Sequence, residues 1–445
     1  MRERPPLPTG PYLVVGLARS GVAAALALRA AVPGERVVAC DAASPPEALR
    51  ERERLAEAGV EVHLDTDGIH LLQASPPPAT VVKSPGVPWD APVVGHAGRA
   101  GMDVLGELEV GWRLVPNEFI AVTGTNGKTT TVELIGAMHR AAGAPVAVAG
   151  NVGTPVSSLA AAVDREVTVV CEASSFQLED TVAFAPEAAV FLNLAPDHLD
   201  RHGSHTGYRA AKLRIFANRQ PSDVAVVNGA LADMPDAIRF GEGLDCEMRF
   251  DGERLLWRDK PLIDASEVRL RGRHNLDNAM AAAAVCLERG LGAEAVRTAM
   301  REFAGVPHRL ETVADIDGVL YVNDSKATNV SAAVRALESF DGGVHAILGG
   351  SLKGGGFAEL APAVAARCAA CYLIGEATEQ LAEDLSVTGV ELVRCGELEH
   401  AVHEAARRAR PAEVVLLAPA CASFDQYRDF EERGEHFRAL VGELR

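Results

Sequence analysis

The chain has 445 residues, of which 48% are hydrophobic, 23% charged and only 5% aromatic, and its formal net charge is −18. That length is too great for one ordinary core and calls for two to four domains, with cores built from Ala, Val and Leu. The acidic balance excludes a general binder of nucleic acid or anionic membrane, and a small anionic substrate would need local cations in loops.

The first predicted element is the apolar run YLVVG, followed by LARSG, a helix-like Ala-rich stretch and the strand RVVACD. Strand, Gly-rich turn and helix in that order are the setting of a dinucleotide fingerprint. Gly16, Ala18 and Gly21 match its glycines with alanine in the second place. Amides at the helix start suit a diphosphate, and Asp41, at the end of the second strand, suits a ribose or similar hydroxyl. A tight turn without a ligand explains the same residues, and a dinucleotide and a UDP-sugar fit them equally well. Gly16, Arg19, Gly21 and Arg29 interrupt this apolar region too often for a membrane span, and MRERPPLPTG has no apolar signal core, so the expected location is the cytoplasm.

The second set of elements begins with EFIAVTG, the loop GTNGKTT and the helical TTTVELIGAMHRAAG. Between Gly124 and the Gly127-Lys128-Thr129 run stand only Thr125 and Asn126, a shorter spacing than in the usual nucleotide loop. The order strand, Gly loop, Lys, Thr, helix is otherwise complete. Glycines let amides approach phosphate, Lys128 supplies a point charge, and the Thr129 hydroxyl suits Mg²⁺. Glu172, ending VTVVCE, is either a hard oxygen ligand for that ion or an exposed strand-end acid. Past AAVFLN, Asp197, His198 and Asp200 form either a metal or phosphate cluster or a solvated loop. Lys212, with Arg209 and Arg214, reads as a basic helical face. Asn275 and Asn278 read first as helix caps and second as readers of a base edge.

The third set is VLYVND, HAILGG, CYLIG and EVVLLAP, each followed by a helical segment. Lys326, Thr328 and Lys353 fall just past these strands, at the ligand edge of an open α/β sheet. Ser423 is either a helix N-cap or an anion contact. The eight cysteines are scattered. Cys368 and Cys371 lack the second pair or histidine of a zinc site, and read first as two buried thiols at a helix-to-strand junction and second as a redox pair. The expected fold class is α/β with three domains, at 1–106, 107–305 and 306–445. The first and last are Rossmann-like, and the central one is a P-loop ATPase-type, mostly parallel sheet.

Nine stretches together resemble the Mur ligase family, the ATP-dependent amide-forming enzymes of peptidoglycan precursor synthesis. In chain order they are GTNGKTT (124–130), GNVGTP (150–155), EASSFQLE (172–179), DHLDRHG (197–203), YRAAKLRIF (208–216), HNLDNAMAA (274–282), PHRLE (307–311), NDSKATN (323–329) and PACASFDQYRDFEERG (419–434). SSFQLE, DSKATN and ACASFDQ are similar to the glutamate-adding branch.

That resemblance implies UDP-N-acetylmuramoyl-L-alanine and D-glutamate as substrates, although the residues do not choose between D- and L-glutamate. It implies UDP-substrate contacts at Gly16, Leu17, Ala18, Arg19, Ser20, Gly21, Asp41 and Ser84. ATP would lie against Gly124, Thr125, Asn126, Gly127, Lys128, Thr129 and Thr130, with Asn151 and Asn278 near adenine and Arg309, Asp324 and Lys326 reaching it across a cleft. Two Mg²⁺ sites are implied, one at Thr129 and Glu172 and one at His198 and Lys212, the lysine as its carbamate. Lys128, His198 and Lys212 would be catalytic. Thr328, Lys353, Ser423 and the Phe430 backbone would hold glutamate. The expected protein is a monomer with no nucleic-acid partner and no membrane insertion. A nicotinamide oxidoreductase leaves GTNGKTT and DSKATN unexplained. Another amide ligase, such as an L-glutamate or polyglutamate enzyme, is the nearer alternative, and a non-catalytic UDP-sugar sensor leaves the ATPase residues idle.

Overall fold

The computed structural model describes residues 2–444 except 45, 196, 232, 233, 235, 271 and 353–355. The chain divides into two compact units, Met1–Phe303 and Ala304–Arg445.

The first unit holds two sheets. The N-terminal one comprises β1 (Tyr12–Val15), β2 (Val37–Cys40), β3 (Val60–His63), β4 (Thr80–Lys83) and β5 (Asp103–Gly106), all parallel, in the order β3-β2-β1-β4-β5. Parallel strands need helical crossovers that cover both faces, so their sequences are continuous apolar runs; YLVV and VVAC are buried along their whole length. The strand order reverses between β1 and β4, which makes the carboxyl end of β1 the switch point where such sheets bind ligands. The turn at Gly16 lies there. Gly16 has φ +87°, and a Cβ on Gly21 would fall 1.7 Å from the Gly16 carbonyl oxygen.

The central sheet has β6 (Phe119–Thr123), β7 (Val146–Gly150), β8 (Thr168–Glu172), β9 (Ala188–Phe191), β10 (Val224–Asn228), β11 (Ile238–Gly241), β12 (Met248–Phe250), β13 (Arg254–Trp257) and β14 (Lys260–Asp264). Their order is β14-β13-β12-β11-β10-β9-β6-β8-β7, antiparallel only at the β12–β13 and β13–β14 pairs. Because β6 sits between β8 and β9, the loop leaving β6 is flanked by the ends of both neighbours. The helices Lys128–Ala141 and Arg273–Glu288 pack together over one face, with Val132, Ile135 and Met138 in the same core as the alanines 281–284. That alanine run lets helix and sheet approach closely.

The second unit contains β15 (Glu311–Ile316), β16 (Val319–Asn323), β17 (Val344–Gly349), β18 (Cys368–Ile374), β19 (Glu391–Gly396) and β20 (Val414–Leu417), in the order β15-β16-β20-β17-β18-β19. Only the β15–β16 pair is antiparallel. It turns at Asp317-Gly318, both at positive φ, as a two-residue hairpin of the twist-compatible type requires. Among the described residues no helix is long and apolar enough to cross a membrane.

Candidate active site

The loop 124–130 leaves β6 and enters the helix Lys128–Ala141 directly. Its two glycines are required. Gly127 has φ +81°, and a Cβ there would stand 2.1 Å from Asn278 Oδ1; a Cβ on Gly124 would meet Leu192 at 2.9 Å. Asn278, buried at the start of its own helix, therefore closes the loop from one side, and its Nδ2 donates to Asn275 Oδ1 at 3.1 Å. Gly272 is the N-cap of that helix, so the expectation that the two asparagines cap it is not met.

Asn193 clamps the other side: its Oδ1 accepts from Asn126 N at 2.9 Å, and its Nδ2 donates to Asn126 O at 3.1 Å. Thr125 Oγ1 accepts from Ala195 N and from the Tyr208 hydroxyl, at 3.0 and 3.2 Å. Asn193 and Tyr208 escaped the sequence reading as loop contacts. The signal for Asn193 was its place just past β9, the strand next to β6.

Glu172 ends β8 and is only 2% exposed. Thr129 Oγ1 donates to its Oε2 at 2.6 Å, and Asn151 Nδ2 to its Oε1 at 3.0 Å. The exposed strand-end reading of Glu172 is thereby corrected. A buried carboxylate beside a hydroxyl at a helix N-terminus offers two hard oxygens to Mg²⁺, an ion that takes one or two carboxylates and completes its shell with water and phosphate oxygens. Among the described residues no three His, Cys, Asp or Glu side chains stand close enough to hold a metal alone.

Lys212 corrects the sequence reading most sharply. It does not lie on an exposed basic face: its side chain is buried, and Nζ donates to the Gly124 carbonyl at 2.7 Å and lies 4.5 Å from the centre of the Tyr208 ring. Burial first, and the nearby Lys128 charge second, lower its pKa to about 6. Arg214 likewise turns inward and donates to the Leu178 carbonyl at 2.9 Å. Lys128 Nζ donates to the carbonyls of Gly124 and Thr125, both at 2.9 Å, so the two lysines meet at one loop oxygen. His198 has φ +49° and packs against Phe176, the rings tilted by 53° with centroids 4.7 Å apart. Asp197 and His198 are both exposed, with His198 Nε2 3.6 Å from Asp197 Oδ2, and the Asp200 side chain lies outside the described residues.

In the N-terminal sheet, Ser84 Oγ donates to the Gly16 carbonyl at 2.8 Å. Both Asp41 oxygens are occupied by the backbone, accepting from Leu17 N at 2.6 Å and Ala43 N at 2.9 Å. Ala18 precedes the helix Arg19–Ala31 as its N-cap, with Ser20 and Gly21 in its first turn. The exposed Arg19 lines a groove along that helix with Val22, Leu26, Arg54 and Ser158.

In the second unit, Leu310 N donates to Asp324 Oδ1 at 3.1 Å, and burial pushes Asp324 up to about 6. Thr328 N donates to the Lys326 carbonyl at 2.8 Å. Lys326 Nζ stands 3.7 Å from the centre of the Phe430 ring, and Ser325 Oγ donates to the Phe430 carbonyl at 2.8 Å. Arg309 is half-buried, and its charge acts on Asp324 against the effect of burial. Ser423 is buried but is not an N-cap; the helix it precedes begins at Phe430 and is capped by Asp429. Lys353 lies outside the described residues. Sequence reasoning missed Arg433. This buried guanidinium donates to Ser325 Oγ at 3.0 Å and to the carbonyls of Ser325, Cys421 and Ala422 at 2.9, 3.1 and 3.2 Å, tying together the two loops that carry Lys326 and Ser423. Burial lowers it to about 10. Cys371 is buried and Cys368 half-buried.

A strand, a short glycine loop, a lysine and a helix start facing a buried carboxylate have the arrangement that suits a nucleotide phosphate in P-loop folds. The Mur ligase middle domain matches residues 122–286, and the Mur ligase glutamate ligase domain matches residues 308–421. A protein of Acidobacterium capsulatum called UDP-N-acetylmuramoylalanine–D-glutamate ligase is 41% identical over 96% of this chain and 95% of its own. Another of that name, from Koribacter versatilis, is 39% identical over 97% of both. Among solved structures, the UDP-N-acetylmuramate-alanine ligase MurC of Thermotoga maritima aligns with TM-score 0.60 over 98% of this chain and all of its own at 18% identity. The MurF ligase of the same organism, in complex with ADP, aligns at 0.57 over 97% and 98%, at 15% identity. The chain belongs to the Mur ligase family.

Proposed function

We propose that this protein is an ATP-dependent ligase that joins D-glutamate to UDP-N-acetylmuramoyl-L-alanine in cytoplasmic peptidoglycan precursor synthesis. The observation that carries the chemistry is the buried pair Thr129–Glu172 at the mouth of the 124–130 loop, which suits a nucleotide phosphate and its Mg²⁺. The choice of substrates is supported by the names of relatives that are similar along their whole length.

A carboxylate is a poor electrophile and needs a leaving group. In this reading the alanyl carboxylate attacks the γ-phosphorus of ATP, giving an acyl phosphate and ADP. The amine of glutamate then attacks the acyl carbon, and the tetrahedral adduct collapses to amide and inorganic phosphate. Lys128 and the loop amides hold the phosphoryl oxygens through the transfer. Thr129 and Glu172 would hold one Mg²⁺, which supplies neutralisation of phosphoryl charge. Asn278 and Asn193 keep the loop in its phosphate-binding shape. The lowered pKa of Lys212 leaves a neutral amine at neutral pH, the form that adds CO₂ with loss of a proton. The resulting carbamate is an anionic oxygen donor, suited with His198 to a second Mg²⁺. Glutamate binding is assigned to Thr328, Lys353, Ser423 and the Phe430 backbone, and the Gly16–Gly21 turn, Asp41 and Ser84 are assigned to the UDP moiety.

The test is phosphate release from ATP with UDP-N-acetylmuramoyl-L-alanine, screened across D-glutamate, L-glutamate, lysine and diaminopimelate. Release with D-glutamate alone is expected. Equal release with L-glutamate, or release only with a diamino acid, would replace this substrate with another.

A further inference from the structure

Arg201 lies in the segment 197–203, beside His198 but outside every role assigned above. Its Nε donates to Glu179 Oε1 at 2.9 Å, and Nη2 also reaches that oxygen. Nη1 donates to the Pro85 carbonyl at 3.1 Å, and Nη2 reaches the Val87 carbonyl at 3.5 Å. The guanidinium lies 4.3 Å over the Phe176 ring, the ring against which His198 packs at a tilt. One planar group thus joins three pieces of the first unit: the turn 84–87 after β4, the helix Ser175–Glu179 and the His198 segment.

Each connection continues to a site. Ser84, at the start of that turn, holds the Gly16 carbonyl. Both Arg201 N and His202 N donate to the His198 carbonyl, at 3.2 and 3.1 Å, and His202 Nε2 pairs with Ser175 Oγ at 3.0 Å. Beneath them a buried ion pair, Lys83 Nζ to Asp180 Oδ2 at 2.7 Å, fixes the turn, since Lys83 also donates to the Val87 carbonyl at 2.8 Å. The path from the glycine turn to His198 therefore runs through Ser84, the 85–87 carbonyls and Arg201, all polar contacts of defined geometry.

We propose that Arg201 is a positioning residue that sets the UDP-substrate turn and the His198 segment in one mutual arrangement, so that binding at one prepares the other. This rests on the ligase reading above. Glu179 and the two carbonyls need donors in a fixed fork, which a guanidinium supplies and a single ammonium does not.

The test compares wild type with Arg201→Gln and Arg201→Lys. Calorimetry gives the affinity for UDP-N-acetylmuramoyl-L-alanine without ATP or Mg²⁺, phosphate release gives the Mg²⁺ midpoint at saturating substrates, and melting gives stability. In Arg201→Gln both the affinity and the Mg²⁺ midpoint are expected to worsen by about tenfold, a change of about 1.4 kcal/mol each. Arg201→Lys is expected to restore neither. Glu179→Gln, which releases the same guanidinium from its other anchor, is expected to move both in the same direction by less, and it serves if the Arg201 variants do not fold. A lower melting temperature with both quantities unchanged, movement of one alone, or full rescue by lysine would overturn the proposal. Wild type that binds no UDP-substrate would overturn the ligase reading and this inference with it.

Discussion

Lys212 shows what one residue's surroundings do to its chemistry. In HTGYRAAKL it is one of several polar members of an amphipathic helix, and nothing local says that it is buried. The burial comes from the Gly124 carbonyl, 88 residues away in sequence, which no periodicity reports. Glu172 was legible as a strand-end acid but not as a buried one, for the same reason. In the unfolded chain Lys212 is charged up to its ordinary value of 10.5, but in the fold only below about 6. Its burial therefore opposes folding in full below pH 6, and by less as pH rises toward 10.5. The neutral amine that adds CO₂ is likewise the majority form only above about pH 6. With ¹³C-labelled bicarbonate, a carbamate resonance is expected at pH 8, lost below pH 6 and absent in Lys212→Ala. That variant should lose ~10²-fold in activity and recover part of it with added acetate or formate; no recovery at any concentration would mark Lys212 as an ordinary lysine. Lys128→Ala should abolish ATP turnover while calorimetry still detects UDP-substrate binding, and loss of that binding in a folded variant would contradict the separate roles given to the two turns.

At the scale of elements, strands buried on both faces announced themselves as apolar runs: YLVV, FIAVT, TVVCE, AAVF and VVLL all became strands of parallel sheets. The β12–β14 region did not, because DGERLLWRDKPLID is turn-rich and polar at an antiparallel sheet edge, where only one side needs apolar residues. The 124–130 loop was readable in full as a motif, whereas its two asparagine clamps, Asn193 and Asn278, depend on strand order and helix packing. Gly127→Ala is expected to cost ~1–3 kcal/mol of local strain and to displace Asn278, so that ATP binding weakens strongly while the melting temperature falls only modestly. A variant with wild-type ATP affinity would show that the positive φ and the close contact are dispensable. The Lys83–Asp180 pair joins β4 to the segment after the Ser175–Glu179 helix, and Gly106 N donates to the Asp180 carbonyl at 3.1 Å. Burial pushes Asp180 up to about 6 despite its partner. Lys83→Met leaves that carboxylate uncompensated and should destabilise by ~3–5 kcal/mol in denaturant melts, with much of the loss recovered by Lys83→Met with Asp180→Leu. If the single variant were as stable as wild type, the pair would not be fixing this joint.

For the whole molecule, a net charge of −18 sits beside anionic substrates, and cations stand where those substrates are assigned: Lys128 on the 124–130 loop, Arg201 between turn and segment, Lys326 and Arg433 at the loops of the second unit. That placement was invisible in composition: Lys128 and Lys326 showed as lone lysines in GTNGKTT and NDSKATN, whereas Arg433, in the acidic run DFEERGEH, gave no such signal. The proposed ligation turns on one step above all, the activation of a carboxylate by ATP for attack by an amine. It is tested most directly by supplying UDP-N-acetylmuramoyl-L-alanine with ¹⁸O in both alanyl carboxylate oxygens, together with ATP, Mg²⁺ and D-glutamate, and weighing the released phosphate. One ¹⁸O is expected in the phosphate for each amide formed, because the attacking oxygen leaves with it. Phosphate free of ¹⁸O, with amide still formed, would contradict an acyl phosphate and the mechanism built on it.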